Sequence, residues 1–417
     1  MPARTTLVLW VTGIAVVILL SLRFNINEFS MHHFYRNRLI RAYLGASHCL
    51  NRRPNRLTGF DATDDLPMAS LRPQCEPGLR NYGRPYAGPY PLFNAALNLV
   101  HGDRLSWQER KAASFVFTPK FCGYDYQPVA DIADTPPLRN AGFRPTSVYA
   151  YPDGGIHLGT AMAISGAALS PNSGLYTSTS LAFLLTVFNV RLGWWMGNPR
   201  NDMSWQRSGP RFGLVYLLYE LFGWTNDRQR QVYLSDGGHF DNLGIYELVR
   251  RRCSLIIASD AEEDADCAFH GLGGVIRKCF IDFGVRIVVD LDGIRPETES
   301  SCREHYAIGR IHYPEGWSGT LLYIKSSLTG DEPADLREYM ARRQAFPNQS
   351  TADQFFDESQ FESYHRLGLH IAKRAFGTSD GEIPADIKKI RERCWAEPDP
   401  RKAPVFWAQN AHAASGD

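Results

Sequence analysis

The residues best suited to chemistry stand in one short string, "VYLSDGGHFDNLG", from Val232 to Gly244. A short apolar run stops at Asp236, two glycines follow, and a helical pattern begins almost at once. The strand "QVYLS" would carry the Asp236 carboxylate to the C-terminal edge of a sheet, where open α/β folds bind their ligands. Gly237 and Gly238 permit positive φ and close approach of a substrate or another backbone. Asp241 or Asn242 is expected to cap a helix beginning at Leu243. Asp236 has no such structural errand. Its plain alternative is a turn residue, since Asp-Gly pairs turn chains in many folds. His239 is expected to be a turn histidine exposed beside the site, with a general base as the sharper reading. The acidic run Ser259–Asp266 has calcium as its sharp reading and a solvated loop as its plain one; its spacing is not that of an EF-hand. Cys253 and Cys279 are expected to be core thiols.

The longer string Asp-Gly-Gly-x-x-Asp-Asn-Leu-Gly resembles the second active-site motif of the patatin-like phospholipases and the related cytosolic phospholipases. Further stretches, "FYRNRLIRAYLGA", "SWQERKAASFVFTPKFCGYD", "GAALSPNSG" and "FPNQSTADQFFDESQFESYHRLG", are similar to the membrane-associated bacterial branch of that family. The resemblance spans roughly residues 24 to 376, and the D-G-G and "STADQFFDESQFE" blocks are its most specific parts. It implies a patatin-like layered α/β fold and hydrolysis of glycerolipid esters. Asp236 would be the base of a Ser–Asp dyad, with Gly237, Gly238, Asn242 and Gly244 supporting the motif. No metal or organic cofactor would be needed for that chemistry.

Such an enzyme also needs a glycine-rich oxyanion turn and a G-x-S-x-G elbow upstream of D-G-G, with backbone N–H groups aimed at the developing oxyanion. Neither spelling occurs in the 417 residues. Ser165, in "MAISGAAL", precedes Asp236 in chain order and has Gly166 behind it. Ala163 stands where the elbow glycine belongs, so its plain reading is packing. Ser318, in "EGWSGTLLY", follows D-G-G and is expected in a hairpin turn. The expectation is therefore a lipid acyl hydrolase whose nucleophile half is missing from this chain, the chain being split, truncated or degenerate. An upstream polypeptide carrying G-x-S-x-G would then complete the site. The alternative is an inactive membrane-bound module that binds lipid or a partner chain.

The elements that must position these residues begin with Thr5–Leu22, eighteen residues without a charge, bracketed by Arg4 and Arg23. At 1.5 Å per residue they span about 27 Å, close to a bilayer core. This is read as a retained transmembrane helix over 5–22, since no small-x-small cleavage site follows it. Arg23, Arg36, Arg38, Arg41, Arg52, Arg53 and Arg56 stand against a single nearby acid, Glu28, so by the positive-inside rule the large C-terminal part is expected on the cytoplasmic side, and the arrangement suggests a bacterial inner membrane. A basic juxtamembrane helix over 23–50 is expected to lie on the membrane surface or to pack into the core.

Residues 51–112 are rich in Arg, Pro and Gly and read as irregular, with one helix near Phe93–Val100. The α/β domain is placed over 113–378 and a polar tail over 379–417. Strands are expected at Ala113–Pro119, Thr146–Tyr151, 231–235, 254–259, 284–291, 307–312 and 320–325. Helices are expected at His157–Leu169, 242–252, Pro333–Ala345 and Ser359–Phe376, and Thr177–Gly197 as a buried or interfacial helix. Lys and Arg number 45 against 44 Asp and Glu, so no global field favours nucleic acid. Eight cysteines without a CxxC pair argue against a zinc site or a disulfide scaffold and fit a reducing compartment. The partners expected are membrane lipids.

Overall fold

The computed structural model describes residues 3–23, 25–28, 30–47, 52–72, 86, 88–101, 109–125, 142–169, 190–298, 301–350 and 356–377. Among them the chain is a mixed α/β protein with eight α-helices and twelve strands. It forms two compact units, Met1–Asn242 and Leu243–Asp417. The division falls inside the 113–378 stretch, directly behind the D-G-G string.

The first unit opens with α1, Ala3–Arg23. Its 21 residues rise about 31 Å, enough to cross a bilayer core. Its large apolar side chains face outward, Trp10 at 68 % and Leu19 at 65 % exposure. Just behind it the buried Asn27 side chain acts as a strand edge: Nδ2 donates to the Trp195 carbonyl at 2.8 Å and Oδ1 accepts from the Trp195 N–H at 3.1 Å. Ser30 then caps α2, Met31–Leu39, which runs on through a π-helical turn, Ile40–Gly45.

This basic segment packs into the core rather than lying on a surface. His32, Ile40 and Gly45 are buried, and α2 sits against α3, Leu158–Ser165. Two arginines of the basic stretch are neutralised locally, Arg36 by Asp65 and Arg52 by Asp64, each at 2.7 Å. Burial pulls the His32 pKa down to about 3, even though its Nδ1 donates to the Leu192 carbonyl. The opposite face exposes Phe34, with the Arg38 guanidinium 4.8 Å from its ring centroid.

The sheet of this unit has the order β4-β3-β2-β1-β6-β5, and every pairing in it is antiparallel. Its strands are β1 Phe93–Asn98, β2 Ala112–Phe117, β3 Phe121–Gly123, β4 Phe143–Pro145, β5 Trp194–Gly197 and β6 Gln231–Asp236. Three expectations are corrected here. Phe93–Asn98, expected as a helix, is the central strand β1. Ala95, Ala96 and Leu97 are all buried because β2 and β6 flank it, and burial on both faces overrides the alanine preference for helix. Thr146–Tyr151 is a run of turns, and Trp194–Gly197 is an edge strand; most of the expected Thr177–Gly197 helix lies outside the described residues.

A further helix, α4, Gly213–Leu221, was not anticipated. It is tied to the end of α1, where the Leu214 N–H donates to Ser21 Oγ at 2.9 Å. Beneath it Arg191 and Glu220, both fully buried, lie 3.3 Å apart. Trp195 Nε1 donates to Glu220 at 2.5 Å, and Arg191 donates to the carbonyls of Ile26 and Gly193.

The second unit begins with α5, Ile245–Arg250, and carries a sheet of order β7-β12-β11-β8. In it β7, Leu255–Asp260, runs parallel to β12, Ser318–Lys325. The strands β11, Tyr306–His312, and β8, Arg286–Val289, complete it with antiparallel pairings. Pro296–Thr298 and Ser301–Cys302 form a small ribbon, β9 and β10. One core joins this sheet to α5 and to α6, His270–Phe283, through Ile245, Val249, Leu272, Val275, Cys279 and Tyr323. A second core joins α7, Ala334–Arg342, to α8, Glu358–Phe376, through Leu336, Tyr339, Leu367 and Ile371.

Candidate functional site

Asp236 is the last residue of β6, paired across the sheet with Ala95 of β1. Both neighbours of β6 are antiparallel, so the ligand-binding edge of an open parallel sheet does not place this carboxylate. What places it is the turn. Its Oδ1 accepts from the Gly238 N–H at 2.6 Å, closing a single 3-10 turn, Gly237–His239. Burial lifts the Asp236 pKa above the ordinary carboxylate value, and the Gly238 hydrogen bond only partly opposes that. A half-buried carboxylate with one backbone donor is under-stabilised as an anion, which makes it a better proton acceptor than a solvated one.

The glycines are needed for close approach, and neither has a positive φ. A Cβ on Gly237 would stand 2.6 Å from the Asn94 carbonyl oxygen, and one on Gly238 would stand 2.6 Å from Asn242 Oδ1. Gly237→Ala is therefore expected to cost about 1–3 kcal/mol, because backbone must shift to admit the methyl. Gly273→Ala on α6, where a Cβ meets nothing nearer than Arg277 Nη1 at 3.5 Å, should cost nothing. Denaturant unfolding of both variants in detergent checks the contrast. The helix expected at Leu243 starts at Ile245, after Gly244 with φ +69°, so neither Asp241 nor Asn242 is its N-cap residue.

Above the turn sits the corner that ends α3. Ser165 is the last residue of that helix, followed by Gly166, and α3 packs against β6 and the D-G-G turn. A side chain on Gly166 would have to displace Tyr35, whose hydroxyl lies 2.5 Å from where its Cβ would stand. The Tyr35 pKa is raised by burial and further by the Asp236 charge. Residues 165–168, Tyr35 and Asp236 thus share one corner of the first unit. His239 is held there from both sides. Its Nδ1 lies 2.9 Å from Ser235 Oγ, and the Ala168 backbone also hydrogen-bonds the ring. Asn98 Nδ2 donates to the same Ser235 Oγ at 2.8 Å, and burial drops the histidine to about 4. His239 is a clamped neutral imidazole, not the exposed turn histidine expected.

Ser165 carries a geometric handicap as a nucleophile. It ends a helix, where carbonyls and the negative end of the dipole point outward, whereas an elbow serine begins one and finds N–H donors. Ser318 opens β12 at a hairpin, its Oγ 3.3 Å from His312 Nδ1, as the spacing suggested. In the acidic run, Asp260 and Asp264 lie 3.3 and 3.7 Å from the buried Lys325 ammonium. Asp264 also accepts the Ala268 and Phe269 N–H groups, so these carboxylates are engaged internally and the calcium reading gains no support. The five described cysteines are free, and Cys279 is fully buried. Tyr35, Asn98 and Ser235 were missed in the sequence; they reach the corner from three separate segments and share no spacing.

Compared with known proteins, the chain matches no family model, no curated protein and no solved structure.

Proposed function

We propose that this chain is a membrane-anchored lipid acyl hydrolase of the patatin-like, phospholipase type, with Asp236 as the base of a Ser–Asp dyad. The observation that carries the reading is the Asp236 carboxylate itself: desolvated, held by one backbone N–H, and set beneath the Ser165–Gly166 corner. In the reaction Asp236 takes the serine proton as Oγ attacks the ester carbonyl. It returns that proton to the lysolipid oxygen that leaves as the ester C–O bond breaks, so that the acyl-serine stands beside a free carboxylate. That carboxylate then activates the water that releases the fatty acid.

The surroundings suit a lipid substrate. The apolar α1 would hold the unit at a membrane, and the arginines that follow it favour the cytoplasmic side. The α4 segment adds a second apolar surface beside α1, with Leu218, Phe222 and Trp224 exposed at 41, 57 and 48 %. Such a segment is built to enter the headgroup region.

Ser165 is the candidate serine within this chain. Its place at a helix C-terminus favours a second reading, in which the nucleophile arrives on a separate stretch of polypeptide or the module binds lipid without turning it over. Fluorophosphonate labelling of the purified full chain, read by mass spectrometry, separates these. A Ser165 adduct that disappears in Asp236→Asn supports a dyad within the chain. Absence of any serine adduct moves the nucleophile elsewhere.

A further inference from the structure

In the second unit four side chains converge that the ester chemistry does not use. His305 stands just before β11, Asp331 and Glu332 in the loop between β12 and α7, and His370 on α8. One ligand atom from each lies within 4.8 Å of all the others. His370 Nε2 is 3.0 Å from Asp331 Oδ1, and His305 Nε2 is 3.8 Å from the same oxygen. The imidazole rings are near-perpendicular with centroids 5.4 Å apart. Donor atoms bound to one zinc-sized ion at about 2.0–2.2 Å stand roughly 3.3–3.5 Å from each other, and these separations bracket that range.

The hydrogen bonds around this point orient the His305 ring. His305 Nδ1 must donate to the Ser327 carbonyl at 3.0 Å, since a carbonyl can only accept. A neutral His305 then has only a lone pair on Nε2. The Thr329 hydroxyl lies 3.1 Å from that lone pair and 2.5 Å from Asp331 Oδ1, and His370 Nε2 stands 3.0 Å from the same Oδ1, so three of the four side chains turn donor atoms toward one point. The carbonyl contact is also the arrangement by which metal-bound histidines are usually oriented. Glu332 is 3 % exposed and accepts the Thr329 and Gly330 N–H groups at 2.6 and 3.0 Å, which fixes the loop carrying Asp331. Arg374, at 3.1 Å from Asp331 Oδ2, offsets one of the two negative charges, and among the described residues no Lys or Arg pairs with the Glu332 carboxylate.

We propose that His305, His370 and Asp331, with Glu332 beside them, bind one divalent late first-row transition ion of the zinc class. Two imidazoles and a carboxylate are the donor set such ions prefer over calcium or magnesium. The ion would clasp α8 to the start of β11, joining segments 65 residues apart in sequence (370 − 305). Its role is to hold the second unit together.

The test uses the full chain in detergent, stripped with a chelator and titrated with Zn(II) alone by calorimetry at neutral pH. The expected result is one ion per chain, a higher thermal midpoint with zinc, and affinity at least about 100-fold weaker in His370→Ala. Asp331→Asn, isosteric and at a partly exposed position, serves should His370→Ala lose its circular dichroism spectrum. Two results overturn the proposal. One is wild type binding no stoichiometric zinc, which would mean that the Thr329, His370 and Arg374 hydrogen bonds alone hold the cluster. The other is equal binding by wild type and variants, which would place the ion elsewhere.

Discussion

Asp236→Asn is expected to lower fatty-acid release from phospholipid vesicles by about 100- to 10,000-fold, the usual worth of a positioned general base. Vesicle binding and fold should survive, because an asparagine Oδ1 can still accept the Gly238 N–H that the aspartate accepts at 2.6 Å. Two linked measurements sharpen the prediction. Burial raises the Asp236 pKa, so the acid limb of the wild-type rate profile should lie above the ordinary carboxylate range. The sign for stability runs the other way. With its folded pKa raised, the carboxyl keeps a proton in the folded state that the unfolded state gives up. Stability is therefore lost as pH rises from the unfolded pKa through the folded one. Asp236→Asn removes that loss, so the inactive variant should be as stable as wild type at pH 7 or more so. A purely structural aspartate would show the opposite.

Arg191→Met should be the most damaging single change in the first unit, costing about 3–5 kcal/mol. Arg191 and Glu220 are both fully buried, 3.3 Å apart. Burial already pushes the Glu220 pKa upward against the pull of Arg191, so removing the arginine leaves a carboxylate that must take up a proton or unfold its surroundings. The double variant Arg191→Met with Glu220→Leu should recover much of the loss, since an apolar pair of similar volume avoids the desolvation cost. Recovery stays incomplete because Trp195 Nε1 loses its acceptor and the Ile26 carbonyl loses a donor. Denaturant unfolding across the four proteins of the cycle gives the coupling directly. The pair matters for function as well. It fastens α4 and the segment behind α1 to β5, and so ties the apolar helix α1 to the sheet that carries Asp236.

What could be read from the sequence follows from the range of the interactions involved. The uncharged run Thr5–Leu22 announced α1 because eighteen consecutive residues without a charge, long and apolar enough to cross a bilayer core, can be read from the segment alone. Strands β6, β7, β11 and β12, and helices α7 and α8, were legible from apolar runs and amphipathic periodicity within single segments. Phe93–Asn98 was not, since "FNAALN" is helix-favouring by itself and becomes a strand through its neighbours β2 and β6. Helix α6 was hidden by three glycines in its first five residues, "HGLGG". At the site, the turn around Asp236 was visible in the glycines, but for a different reason than expected: they make room for Asn94 and Asn242 instead of adopting positive φ. The rest of the corner was invisible. Tyr35, Asn98 and the residues 165–168 come from segments that only tertiary packing brings together. The same holds for His305, Asp331 and His370, whose spacings of 26 and 39 residues match no local metal motif.

The most direct test of the account is fatty-acid release by the purified wild-type chain, reconstituted in phospholipid vesicles and followed by mass spectrometry of the lipid fraction. A Ser–Asp acyl hydrolase should make free fatty acid and lysophospholipid accumulate with time above protein-free vesicles. Vesicles that hold the folded protein yet show intact lipid throughout would contradict that assignment, and would leave Asp236 as the buried turn residue of a lipid-binding module.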